Sequence, residues 1–128
     1  MRRKWKFIVP VLALLGTCLL FRFVLFIGYV PSESMEPTLK KGSIIVGSRL
    51  FGELKVGDII VFRHEGRLLV KRIAATEGNM VEYKGQRTTV PKGCFYVLGD
   101  NAGNSFDSRF WKKPFIAYSS IISTLPPS

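Results

Sequence analysis

Asp58-Ile59-Ile60-Val61-Phe62-Arg63-His64-Glu65-Gly66-Arg67-Leu68-Leu69-Val70-Lys71-Arg72-Ile73-Ala74-Ala75 decides the fold. Asp58 to Phe62 is rich in β-branched and aromatic residues, Glu65-Gly66 can turn the chain, and Arg67 to Ala75 is a second, longer run. Such side chains fit a pleated, half-buried surface, and a Gly-containing break between two runs marks a turn. The stretch therefore predicts two strands joined by a turn. Working outward, Ser43-Ile44-Ile45-Val46 reads as an earlier strand, with Lys40-Lys41-Gly42 as a turn before it and Gly52 to Gly57 as the connection after it. Met80 to Tyr83 and Arg87 to Val90 flank Lys84-Gly85-Gln86 as a hairpin. Cys94-Phe95-Tyr96-Val97-Leu98 is another strand, and a last one is expected around Ser120-Ile121-Ile122. No convincing helix is expected over residues 31–128. Short strands separated by frequent turns predict a mainly β fold, a small β-barrel-like domain.

The N-terminus has a different character. Residues 1–6, Met-Arg-Arg-Lys-Trp-Lys, are basic, and Phe7 to Phe21 is apolar apart from Gly16 and Thr17. A helix of that length spans about 22 Å, short of a ~30 Å hydrocarbon core. Extending it through Phe23 to Ile27 supplies the length, with Arg22 snorkelling at the far interface. A basic start and apolar core also fit a removable signal peptide, but no small-x-small cleavage site precedes the domain. Residues 1–30 are therefore read as a basic tail and a retained transmembrane anchor, and residues 31–128 as the β-rich domain. The positive-inside rule puts the tail in the cytoplasm and the domain outside.

The chain has 128 residues, with 19 Lys and Arg against 9 Asp and Glu. Part of that excess precedes the apolar run, and no zinc spacing, helix-turn-helix or aromatic RNA-binding pattern accompanies it. An anionic lipid surface accounts for it better than nucleic acid. Cys18 lies in the apolar run and Cys94 far downstream, so they are not expected to pair, and no metal or cofactor is called for. His64 is the single histidine.

Three stretches could carry chemistry. Pro31-Ser32-Glu33-Ser34-Met35-Glu36-Pro37 follows the apolar segment. Pro31 and Pro37 favour extended backbone at Val30 and Glu36, which would hold Ser32 and Ser34 on a stiff, non-helical segment. The same composition also suits a plain membrane exit. A nucleophilic serine needs a base. His64 sits beside a turn, where a solvated histidine is expected. In a strand, Leu69, Lys71 and Ile73 share one face while Val70 and Arg72 share the other. Lys71 is either an inward amine of lowered pKa or an edge lysine reaching water. Gly99-Asp100-Asn101-Ala102-Gly103-Asn104-Ser105-Phe106-Asp107-Ser108-Arg109 is a long polar loop after a core strand. It is either a site loop or a surface turn with a weak Asp107–Arg109 pair.

Ser32 to Leu39, Gly57 to Phe62, Val70-Lys71-Arg72-Ile73, and Gly99-Asp100-Asn101 through Asn104 to Arg109 occur in this order after the apolar segment. Together they resemble bacterial type I signal peptidases, the Ser/Lys proteases that remove signal peptides from exported proteins. The resemblance runs from about Arg22 to Trp111. It implies Ser34 as nucleophile, Lys71 as general base, and the Ser34 N–H with the Ser32 hydroxyl as oxyanion hole. It further implies Ser105 orienting the Lys71 amine, with Asp107 and Arg109 holding the loop. Val30, Pro31, Leu69 and Val70 would line shallow pockets for small residues before the cut. It implies a place in the bacterial plasma membrane and action on signal peptides of exported preproteins; a monomer is expected. Ala102 and Gly103 stand where the family commonly has charged residues, and Lys112-Lys113 where a glycine is usual. The chain has no room for the large second β-domain of some members; only the Lys84-Gly85-Gln86 hairpin occupies that region. A dedicated peptidase maturing one conjugation or pilus substrate, and an inactive anchored binding protein, are the competing readings.

Overall fold

The computed structural model describes residues 2–126; Met1, Pro127 and Ser128, at the ends of the two expected segments, lie outside the described residues. Helix α1 (Arg2–Phe23) is followed by strands β1 (Leu25–Tyr29), β2 (Ile44–Ser48), β3 (Ile59–His64), β4 (Arg67–Thr76), β5 (Met80–Tyr83), β6 (Gln86–Thr89), β7 (Cys94–Leu98), β8 (Phe115–Ala117) and β9 (Ile121–Leu125). Between them lie two short 3-10 turns, Ala102–Asn104 and Tyr118–Ser120.

Arg3–Phe23, 21 residues containing an 18-residue window of mean hydropathy 1.9, is long and apolar enough to cross a membrane, and none of it is buried against the rest of the chain. At 1.5 Å per residue that is about 32 Å, the thickness of a hydrocarbon core. The apolar residues after Phe23 do not extend the helix, contrary to the sequence expectation. Val24 N–H makes a helical bond to Leu20 O (2.8 Å), and Arg49 Nε then donates to both Phe21 O and Leu25 O (2.8 Å each). That side chain satisfies one carbonyl the helix end leaves open and one at the start of β1. Leu25–Tyr29 instead pairs with β2, from Leu25↔Ser48 to Tyr29↔Ile44, and buries Phe26. The residues leading out of the helix thus belong to the sheet.

Seven strands form one antiparallel sheet in the order β1-β2-β9-β3-β4-β7-β8, and β5 and β6 form a separate ribbon. The end strands β1 and β8 do not pair, so the sheet stays open; the expected barrel does not close. Its weakest joint is β2 to β9, a single register pair, Ser48↔Thr124. β3 is the centre: Ile59, Ile60, Val61 and Phe62 are all buried. Ile60 and Phe62 pack with Ile73, Val97 and Trp111, while Ile59 and Val61 pack with Phe26, Val30 and Met35. Alternation along one strand thus feeds two cores, each such side chain contributing about 1.5–3 kcal/mol.

Both hairpins close on two-residue turns with positive φ, Glu65 (49°) with Gly66 (78°), and Lys84 (50°) with Gly85 (81°). This is the mirror-image turn whose twist matches paired strands, and it makes glycine the favoured second residue. The second hairpin is one residue tighter than expected, since Gln86 pairs with Tyr83. The two cysteines are free.

Candidate active site

Packing on both faces of β4 settles Lys71. Leu69 packs on the core that contains Ile73, Val70 on the opposite one, and Lys71 lies between them with 4% of its surface exposed. The sequence leaves open an edge lysine reaching water; the amine is instead inside. Its Nζ donates to Ser105 Oγ (3.2 Å), and Ser105 Oγ donates to Asp107 Oδ2 (2.8 Å). Burial pushes the Lys71 pKa below the ordinary lysine value; Asp107 opposes this and Arg109 adds to it.

Asp107 is fully buried and saturated with donors. Gly99 N–H meets Oδ2 (3.0 Å), and Arg109 binds with Nε to Oδ1 (2.8 Å) and Nη2 to Oδ2 (3.1 Å). Burial alone would raise this carboxyl's pKa, but the bonds from Arg109, Gly99 and Ser105 outweigh it and hold the pKa low. Arg109 also reaches Ala102 O (2.9 Å), so the pair closes the loop rather than decorating its surface. A carboxyl whose folded pKa is depressed adds stability above its unfolded value near ~3.9, and that stability is lost as pH falls through the folded pKa. The urea midpoint of the detergent-solubilised chain should therefore fall with acidification below about pH 4, and Asp107→Asn should flatten that slope. An unchanged slope in the variant would assign the acid sensitivity elsewhere.

The serine segment is non-helical, as expected, and takes the form of a run of turns. Glu36 N–H bonds to Glu33 O (3.1 Å) and Leu39 N–H to Met35 O (2.9 Å), which curls the backbone around the buried Met35. Ser34 is nearly buried at 8% exposure, and Ser32 Oγ lies 3.3 Å from Ser34 Oγ and 3.4 Å from Ser34 N. The turn is stitched to the distant loop: Asn101 N–H bonds to Ser34 O (2.8 Å), Asn101 Nδ2 to Glu33 O (3.1 Å) and Asn104 Nδ2 to Glu33 Oε2 (2.9 Å). Thr38 Oγ1 donates to Asp100, which Arg72 grips with Nε and Nη2 (2.9 Å each). The sequence alone assigns no role to Glu33, Thr38, Arg72, Gly99, Asp100 or Asn101. All but Gly99 act through partners remote in sequence, a link that no local pattern encodes.

Ser34 and Lys71 open onto the same space but share no hydrogen bond. Two clefts meet at Ser32, Ser34, Leu69 and Lys71. A narrow one, about 90 Å³, is lined by Val30, Pro31, Leu69 and Val70, among others. A wider one, about 600 Å³, runs past His64, Arg67, Phe106 and Trp111. His64 is not the solvated residue expected: its ring is half-buried and stacked on Trp111, centroids 3.9 Å apart. Trp111 in turn has its carbonyl held by the Tyr83 hydroxyl, from the β5–β6 hairpin. β4 pairs with β3 from Arg67 to Arg72 but with β7 only from Arg72 onward, so Leu68 to Lys71 offers a free strand edge beside both clefts.

A serine on a turn, a buried amine opening onto the same cleft and a free strand edge are the parts of a serine peptidase with lysine in histidine's place. Sequence comparison agrees with that class. The family model described as signal peptidase, peptidase S26, matches residues 1–90 and 85–126. The protein named "Probable signal peptidase I-1" of Synechocystis sp. is 33% identical over 148 aligned positions, covering 84% of this chain and 76% of its own length. Signal peptidase I of Bacillus caldolyticus is 28% identical over 148, covering 84% and 80%. Thylakoidal processing peptidase 1 of Arabidopsis thaliana is 32% identical over 121, covering 64% of this chain and 36% of its own. The chain belongs to the peptidase S26 family of signal peptidases. Both 148-position alignments exceed the 128 residues of this chain, so those relatives carry internal segments that it lacks. The two matched stretches meet at the β5–β6 hairpin, which marks where the lengths differ. The apolar α1 fits a membrane-associated enzyme.

Proposed function

We propose that this chain is a membrane-anchored serine endopeptidase that removes signal peptides from preproteins, with Ser34 as nucleophile and Lys71 as general base. The observation that carries the reading is the Lys71 amine, buried, held by Ser105 and opening onto the cleft that also holds Ser34. A neutral Lys71 takes the hydroxyl proton as Ser34 Oγ attacks the carbonyl carbon before the cut. The ammonium then gives that proton to the leaving amine, and a water deprotonated by Lys71 releases the acyl group. Because the Ser105 hydroxyl donates its hydrogen bond to Asp107, its oxygen is left to accept from the amine and sets the direction of a Lys71 N–H bond. The Ser34 N–H and the Ser32 hydroxyl, 3.4 Å apart, can meet one oxyanion together once the Ser32 hydroxyl turns outward. Ser34 then turns toward Lys71 as substrate enters, in keeping with the looser contacts of an empty site.

Substrate adds as a strand along Leu68 to Lys71, and the narrow cleft at Val30, Pro31, Leu69 and Val70 admits small side chains before the cut. The anchor stays attached, with its basic end in the cytoplasm and the sheet domain outside the bacterial plasma membrane, bound to lipid as a monomer. Cleavage of a purified preprotein by the detergent-solubilised chain, after an Ala-x-Ala-like site, tests the reading. No cleavage across several preproteins would overturn it. His64→Ala should cost less than about tenfold in kcat/KM; a loss of ~10³ or more would make the histidine the base.

A further inference from the structure

The wide cleft is unclaimed by the residues before the cut, and its position gives it a use. A peptide lying across Ser34 and Lys71 must leave by two openings, one on each side of the bond that breaks. The narrow opening lies at Val30 and Pro31, so the chain after the cut takes the wide one. That cleft does not end at His64. His64 and Glu65 also line the next depression, about 520 Å³, whose other walls include Arg63, Lys112 and Lys113. The two depressions therefore adjoin at His64 and Glu65 as one grooved surface, with the Trp111–His64 stack beside the first and a charged lip around the second.

The lip is unbalanced. Among the described residues, Arg63, Arg67, Lys112 and Lys113 line the groove and Glu65 is its one carboxylate. Among the described residues, none of these four cations lies within 4.0 Å of a carboxylate; the ion pairs are Arg72–Asp100 and Arg109–Asp107. The lysine pair is also placed by structure, since the Tyr83 hydroxyl donates to Lys112 O (3.2 Å) as well as to Trp111 O. We infer that this groove receives the first residues of the mature protein and that its basic lip selects substrates carrying Asp or Glu there. The inference rests on the signal peptidase reading above and adds a preference on the far side of the cut.

The test uses the full-length chain in uncharged detergent and preproteins identical through the cut, differing only in whether positions two to five after it are acidic, neutral or basic. The readout is the ratio of kcat/KM for acidic over basic substrates, measured within each enzyme so that any loss of folded protein cancels. Exposed pairs are each worth up to about fivefold, so a ratio of about five to tenfold is expected at low salt, shrinking toward one at about 0.5 M salt. In the double variant Lys112→Glu, Lys113→Glu the ratio should fall to one or invert. A ratio near one in the unaltered chain, or one that the variant leaves unchanged, overturns the inference while cleavage itself upholds the peptidase. Equal rates across the panel with lysine-dependent activation by anionic phospholipid vesicles would overturn it and assign the lip to lipid headgroups. No cleavage of any substrate would overturn both.

Discussion

Lys71→Ala and Ser34→Ala are each expected to lower kcat/KM for preprotein cleavage by at least about 10³-fold, and the double variant by little more, because a proposed nucleophile and its base would act as one unit. The companion result is a pH profile. A base works when neutral, and burial lowers the Lys71 pKa, so kcat/KM should climb with pH and level off above an ionisation well below lysine's ordinary ~10.4. A rate tracking an ionisation near ~10.4 would sink the buried-base assignment. Stability changes with pH in the same sense, but the buried amine that serves function costs stability. The lowered pKa costs nothing above the unfolded value, and the cost grows as pH falls from there to the folded value and stays below it. Lys71→Met should therefore unfold at a higher urea concentration than the parent at neutral pH, while being inactive. Loss of activity with loss of folding would instead leave the chemistry unassigned to the amine.

Gly99→Ala should abolish most activity, about 10²-fold or more, from a residue that takes no part in the reaction. A Cβ at Gly99 would overlap Ser105 Oγ and stand 2.6 Å from both Ser105 Cβ and the Ser34 carbonyl oxygen. Those atoms belong to Ser105, which bonds Lys71, and to the backbone of Ser34, the proposed nucleophile, so relief of the clash moves both partners at once. Gly99 N–H also feeds Asp107, which ties the same position to the loop. Close-packed interiors answer such overlap by shifting backbone, at about 1–3 kcal/mol. Steady-state kinetics with a thermal unfolding curve checks this: a variant that keeps parent kcat would show that the serine and loop do not need their present separation.

Part of this architecture is legible in local stretches of the chain. The runs around Ile59 and Leu69 specify the central hairpin, because β-branched residues bounded by a Gly turn leave few alternatives. Period-two spacing puts Lys71 and Ile73 on one face. The loop from Gly99 to Arg109 stands out as a candidate site by its polarity and length alone. The same local patterns mislead at Leu25 to Tyr29, whose apolar residues continue the helical segment in composition but pair with β2. From Pro31 to Pro37 they say only that the segment is not helical; its particular turns come from backbone bonds and the packing of Met35. His64 reads as solvated from its neighbours, because its stacking partner Trp111 is remote in the chain.

The sequence by itself determined what depends on neighbours along the chain: a membrane-length apolar helix, a mainly β domain, the strand that bears Lys71 and the face it occupies. Only the tertiary structure decided whether that face is buried, that the sheet stays open, and which serine meets the amine. Lys71 and Ser105 are 34 residues apart and Thr38 and Asp100 are 62 apart. Contacts at such separations come from strand pairing and core packing over the whole domain, and no single segment holds the information to choose them.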